Sequence, residues 1–275
     1  MAVKSLSRNV RDQSLGDCFR RAAARSFEYL LWKRSVVRRI PVGVLRRWFD
    51  LRSKVVPWTS DANPLQPIYV DPDAIEYYHS GGPRRFGHVV GGDWDTSRQP
   101  FDDHVVFRSL RDRYVDGCEW EETALFETYQ AELTAGERTT VRGEADLKSY
   151  FENVDRLYES IRSRGYLTQP QLQTLGIHTE TDPSKDNPHP VLDEVCVCIY
   201  RDGSIAKRSS GTHRLSIAKI LDIDEIPVLV RIRHRKWQEI RDAVRAADAV
   251  EAIRRDVCEH IDHPDLLDVR PHGGR

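Results

Sequence analysis

The sequence predicts an α+β fold: a small mixed sheet with short helices, a helical insertion, and flanking N- and C-terminal helices. Three observations carry this. Apolar, strand-like runs cluster between residues 194 and 233, with a short apolar helix among them. Stretches of helical periodicity precede them, over 101–135 and about 146–164. A basic helix-forming stretch opens the chain, and an amphipathic one follows the last strand. The expected division is a basic helical region over 1–63, the α+β domain over 64–235 with its insertion at about 101–145, and a C-terminal amphipathic helix and tail over 236–275.

Each element has its own signal. In residues 14–39, Leu15, Cys18, Phe19, Ala22, Phe27, Leu30 and Leu31 fall near helical spacing, with arginines between them. RIPVGVLRRWFDLRSK (39–54) is a second helical piece with Pro41 near its start. DANPLQP (61–67) has the composition of a linker. PIYVDPDAIEYY (67–78) reads as a short strand, a turn at Asp71-Pro72 and a helical turn, and FGHVV (86–90) as a strand in a glycine-rich stretch. Gly117, Gly136 and Gly165 punctuate the ends of helices. TETDPSKDNPHP (179–190) is a polar surface loop. EVCVCIY (194–200) is a buried strand, which the RDGS turn pairs with IAKR. THRLSIAKIL is a short helix, IPVLVRIR (226–233) a strand, and Trp237 to about His260 one long amphipathic helix.

The bulk composition of the 275 residues is soluble and globular, 39% hydrophobic and 31% charged. It has neither an apolar run of membrane-spanning length nor a secretory signal pattern, so a cytoplasmic protein is expected. Five scattered cysteines, without a CxxC pair, suit a reducing compartment and argue against a zinc ribbon. Cys196 and Cys198 read as small apolar residues on one face of a strand. The net charge of −1 hides an asymmetry. Residues 1–60 hold fourteen Lys/Arg against four Asp/Glu, which leaves a charge of −11 on the rest. Such an arm seeks an anionic partner, nucleic acid or a membrane surface, or docks on its own acidic body.

The chemistry concentrates in KRSSGTHRLSIAKIL, Lys207 to Leu221. If Thr212 opens a helix, its first N–H groups lack intrahelical partners and the helix dipole adds positive charge there. Gly211 permits close approach to the backbone, and Ser209 or Ser210 can cap the helix. Lys207, Arg208, His213 and Arg214 add donors and charge, which together make a phosphate-binding arrangement. A capped helix with Arg214 in a surface ion pair would use the same residues.

Gly211-x-His213-Arg214-Leu215, a short apolar helix and then IPVLV resemble the ParB/sulfiredoxin superfamily, in which such a motif opens a helix and holds nucleotide phosphates. LYESIRSRGYLTQPQL (157–172) is similar to an upstream box of that family, ending in an extended proline-containing strand, and PIYVDPDAI (67–75) to its opening strand. The resemblance implies that Gly211, Thr212, His213 and Arg214 hold phosphates with support from Ser210, Lys207 and Arg208, and that the ligand is a nucleotide, with Mg2+ as its companion. Thr212 stands where sulfiredoxins carry a nucleophilic cysteine, and Ser210 where many relatives carry aspartate. Sulfiredoxin chemistry is therefore not expected, and a kinase-like base is missing from that position. No helix-turn-helix follows the domain.

GGDWD (91–95) offers Asp93 or Asp95 as a catalytic base or magnesium ligand in place of that carboxylate, or else a turn with solvated acids and an anchored tryptophan. Arg84 and Arg85 are further phosphate contacts or plain surface cations. His260 and His263 have a zinc-chelating spacing without a third ligand, as at a capped helix end, and His178 and His189 read as surface residues. The expected function is binding of a nucleotide or phosphorylated ligand, with nucleotide hydrolysis or phosphoryl transfer as the chemistry such a site suits. The alternatives are a DNA-binding protein or nuclease using the basic N-terminal arm, and a non-catalytic adaptor.

Overall fold

A computed structural model describes residues 40–56, 58–80, 86–136, 143–176 and 189–271. The expected helix over 14–39, Arg84, Arg85, His178 and most of the 179–190 loop lie outside the described residues. Seven strands form one mixed sheet: β1 (Ile68–Val70), β2 (Ile75–Tyr78), β3 (His88–Val90), β4 (Gln99–Pro100), β5 (Val195–Ile199), β6 (Ile205–Lys207) and β7 (Ile226–His234). Their order is β1-β7-β5-β6-β2-β4, and β3 continues beside β7. The expected hairpin is present, β5 antiparallel to β6, while β5 and β7 run parallel. The helical turn expected within 67–78 is confined to Pro72–Ala74; Ile75–Tyr78 instead joins the sheet parallel to β6.

The register of β5 on β7 slips once. Val197 faces Val230 but Cys198 faces Ile232, which leaves Arg231 as the extra residue of a bulge. Bulges of this kind re-aim a side chain.

Eight helices are described: α1 (Val42–Val55), α2 (Val105–Tyr114), α3 (Ala124–Thr134), α4 (Glu144–Arg164), α5 (Gln169–Thr174), α6 (Thr212–Ile220), α7 (Arg235–Ala246) and α8 (Arg255–Cys258). On one sheet face Val195, Val197, Ile199, Ile205, Val228 and Val230 pack against Leu215 and Ala218 of α6 and against Trp237, Val244, Val257, Ile261 and Leu266. On the other, Cys196 and Leu229 meet Leu45 and Phe49 of α1, and Cys198, Tyr200, Ala206 and Ile232 meet Tyr77 and Trp94. The two cysteines thus share a face, as strand alternation requires. Next in the chain, Leu147, Tyr150, Phe151, Val154, Leu157 and Ile161 form the apolar stripe of α4 and pack on α2 and α3. Ile217 of α6 joins that second core, so α6 is held between the sheet and helices α2 to α4.

Three further expectations differ. The single helix expected over 237–260 stops at Ala246 and continues as short turns, because Val257, Ile261 and Leu266 must fold back onto the sheet. The C-terminal segment is therefore part of the main core. The extended strand expected in 166–172 is helical from Gln169. The composition-based linker 61–67 is tied down: Leu65 is buried with α1, and Asp61 accepts from Gln238 and Arg241.

Candidate anion-binding site

The loop between β6 and α6 consists of Arg208, Ser209, Ser210 and Gly211, and two of the four have a left-handed backbone. Ser209 has φ 60 and Gly211 φ 86, both left-handed. A non-glycine residue holds such a conformation only where its surroundings enforce it. Here the Arg231 guanidinium, delivered by the bulge, donates to Ser209 Oγ at 2.5 Å, and the Lys207 ammonium donates to the Ser209 carbonyl. Gly211 is the N-cap residue of α6 and bears no capping side chain. A Cβ there would meet the Cα of Val195 at 2.6 Å, so the close approach that requires glycine is made by β5. Neither serine caps the helix. The left-handed turn at Gly211 returns Ser210 to β5, where its Oγ donates to the Glu194 carbonyl at 3.2 Å.

The charged side chains diverge in their duties. Arg214 is buried, pairs with Glu194 at 2.8 Å, donates to the Leu167 carbonyl and stacks 4.3 Å above the Tyr166 ring. It anchors α6 to the chain before β5, and the surface ion pair weighed for it does not form. His213 is half-buried, with Nε2 2.7 Å from Tyr150 Oη, and Tyr150 Oη lies 3.1 Å from Tyr129 Oη. Thr212 is half-buried at the first turn of α6. Arg208 turns to the opposite sheet face, where burial lowers its pKa beside Cys198 and Tyr200. Burial pushes the Cys198 thiol up to about 12 and also raises Cys196, so neither is a ready thiolate.

Lys207 stands apart. It is only 5% exposed. Among the described residues its ammonium has the Ser209 carbonyl as acceptor and no carboxylate at ion-pair distance. Burial, with the Arg231 charge in support, lowers its pKa to about 7. A buried cation without a counter-charge is costly, and an arriving anion relieves that cost.

Asp93 and Asp95 are placed on Arg201. Asp95 is 1% exposed and accepts from the Arg201 backbone N–H at 2.9 Å and from Nε at 2.8 Å. Burial works to raise its pKa, but Arg201 outweighs this and holds the carboxyl at about 2. Asp93 is exposed and accepts from the same guanidinium at 2.8 Å. Trp94 is anchored by an N–H bond to the Val90 carbonyl and packs on Tyr200 and His79. His263 caps the turn at Pro264–Leu266, in keeping with a capped end. Among the described residues no cluster of three or more His, Cys, Asp or Glu side chains could hold a metal ion.

Arg231, Glu194 and Tyr150 carry no motif of their own. Only the bulge, the long-range ion pair and the packing of α4 bring them to the loop. Comparison of the chain with protein-family models, curated proteins and solved structures found no match.

Proposed function

We propose that the chain binds a nucleotide or another phosphorylated ligand at the loop between β6 and α6, in the manner of the ParB/sulfiredoxin superfamily that its motif resembles. The carrying observation is Lys207: a buried ammonium with unused N–H donors, two residues before the strained turn that opens α6. The α6 N-terminus with Thr212 supplies backbone donors, and Tyr150 holds His213 beside it through Nε2. Arg214, Ser210 and Gly211 support this reading as the frame of the loop. Mg2+ would enter with the nucleotide, since the buried carboxylates Glu194 and Asp95 are committed to Arg214 and Arg201. Hydrolysis or phosphoryl transfer is the chemistry such a site would favour.

The test is a thermal-shift panel with CTP, ATP, GTP and inorganic phosphate, each with and without Mg2+, on the wild type, Lys207→Met and His213→Ala. A ligand bound only by the folded state raises the melting temperature. A shift in the wild type that Lys207→Met loses is the expected result. No shift with any of these ligands would sink the reading.

Nucleic-acid binding through residues 1–60 is the second reading, and one observation favours it. Arg46, Arg47 and Lys54 are exposed on α1, while Trp48 and Arg52 turn inward. Duplex binding that falls steeply with salt and survives Lys207→Met would support it. No helix among the described residues is long and apolar enough to cross a membrane.

A further inference from the structure

Two buried cations hold one exposed residue in the loop between β6 and α6. Lys207 is 5% exposed and Arg231 is 3% exposed, whereas Ser209 faces solvent. The Lys207 ammonium donates to the Ser209 carbonyl, and Arg231 Nη1 donates to Ser209 Oγ at 2.5 Å. Covalent geometry keeps the two oxygens of a serine within about 5 Å of each other. The two donors therefore converge on one small region, and neither oxygen they hold carries a charge. Burial, and then the Arg231 charge, lower the Lys207 pKa, as cations at close quarters require.

The serine is held at a cost. Its φ of 60 is left-handed, which a residue with a Cβ disfavours. Glycine stands two residues on, at Gly211, where β5 comes too close for a Cβ. At 209 the sequence keeps a hydroxyl instead, and that hydroxyl is what Arg231 grips. Arg231 is the extra residue of the β-bulge, and its guanidinium lies 4.3 Å from the Phe86 ring. Backbone and ring together aim it at the loop. Strain of this kind persists only where the surroundings impose it, and it collects at ligand clamps and switches.

We propose that Arg231 is a ligand-contacting residue of the anion site and that Ser209 is the placeholder a ligand displaces, so that a phosphoryl group takes over both cations, one oxygen for each. This rests on the reading of the loop as an anion site. It adds a second cation and a moving part. Two neutral acceptors give way to charged ones, whose bonds to these donors are stronger. The displaced serine leaves its left-handed conformation, and its oxygens turn to water. Opening the turn first breaks the two bonds to Ser209, which holds the apparent affinity below that of the open loop.

The test is calorimetry with CTP, ATP and inorganic phosphate on the wild type, Ser209→Ala, Arg231→Met and Lys207→Met. Ser209→Ala removes the hydroxyl that occupies Arg231 and keeps the strained turn, so the closed loop loses a bond and opens more readily. For whichever probe binds the wild type, Ser209→Ala should bind about threefold or more tighter. Arg231→Met should bind about tenfold or more weaker, as for loss of a hydrogen bond from a charged group. A hydroxyl that touched the ligand would give the opposite sign, so unchanged or weaker binding by Ser209→Ala overturns the placeholder. If Arg231→Met binds within about twofold of the wild type while Lys207→Met does not bind, Arg231 serves only the fold. This proposal then falls and the site reading stands. Should Arg231→Met fail to fold, Ser209→Ala decides alone, since it alters only an exposed side chain. If the wild type binds none of the three probes, both the site reading and the proposal fall.

Discussion

Buried charge collects in two regions of this molecule, and they are built on opposite terms. At the C-terminal clasp, Asp265 is fully buried and accepts from Arg233 Nε at 2.8 Å and Trp237 Nε1 at 2.9 Å. Beside it Arg241, 1% exposed, is gripped by Asp61 at 3.0 Å and Asp268 at 2.6 Å. At the loop between β6 and α6, Lys207 is as well buried but has a carbonyl where the clasp has carboxylates. A charge already matched by the protein serves architecture. The charge left unmatched at Lys207 is the observation on which the proposed anion site rests.

This contrast can be broken by mutation. The largest effect is expected at the clasp. Asp265→Ala leaves Arg233 buried without its carboxylate and should cost about 3–5 kcal/mol of unfolding free energy in urea titrations. A loss under about 1 kcal/mol would mean that the clasp is not the closed charge system described.

Lys207→Met should act in the other direction. The fold lowers the lysine pKa from 10.5 to about 7, so it favours the neutral amine. Between about pH 7 and 10.5 the unfolded chain binds more protons than the folded one, and stability rises with pH. Below about 7 the full burden of the buried cation is present. Methionine removes it, so the ligand-free variant should be more stable than wild type at pH 6, by about 1 kcal/mol or more. The difference should shrink steadily towards pH 10. A variant less stable than wild type at pH 6 would show that the ammonium is already well compensated.

The smallest effect belongs to charges in water. The Arg162–Glu159 pair on α4 is exposed on both sides at 2.8 Å, and Glu159→Gln should change stability by less than about 0.5 kcal/mol. A larger loss there would weaken the use of burial to rank these sites.

Strands β5 and β7 were legible because VCVCI and IPVLV are unbroken apolar runs that suit a sheet covered on both faces. Helix α4 was legible from its apolar stripe and its closing Gly165. The break at Ala246 was not, since neither glycine nor proline interrupts 237–260. Tertiary demand overrides propensity there, because the chain must turn back for Asp265 and Asp268 to reach Arg233 and Arg241. At the site, the glycine-histidine-arginine signal located the loop. It did not tell which cation is matched, because Glu194 lies twenty positions before Arg214 and only folding joins them. The cap of α2 by His104 was invisible for a chemical reason: sequence rules for caps look for serine, threonine, aspartate and asparagine.

The place of β7 in the sheet has a consequence for the order of events in time. It pairs with β1, β3 and β5, yet its residues 226–234 come late in the chain. Among the described residues β1 has no other strand partner, and β3 has besides β7 only an isolated bridge to Thr59. On a ribosome, which releases the chain from its N-terminus, those early strands stand with open hydrogen-bonding edges until most of the protein has been made. Helices α2, α3 and α4, which follow one another in sequence, face no such wait. Helices α2 to α4 can thus be in place well before the sheet that carries Lys207 closes.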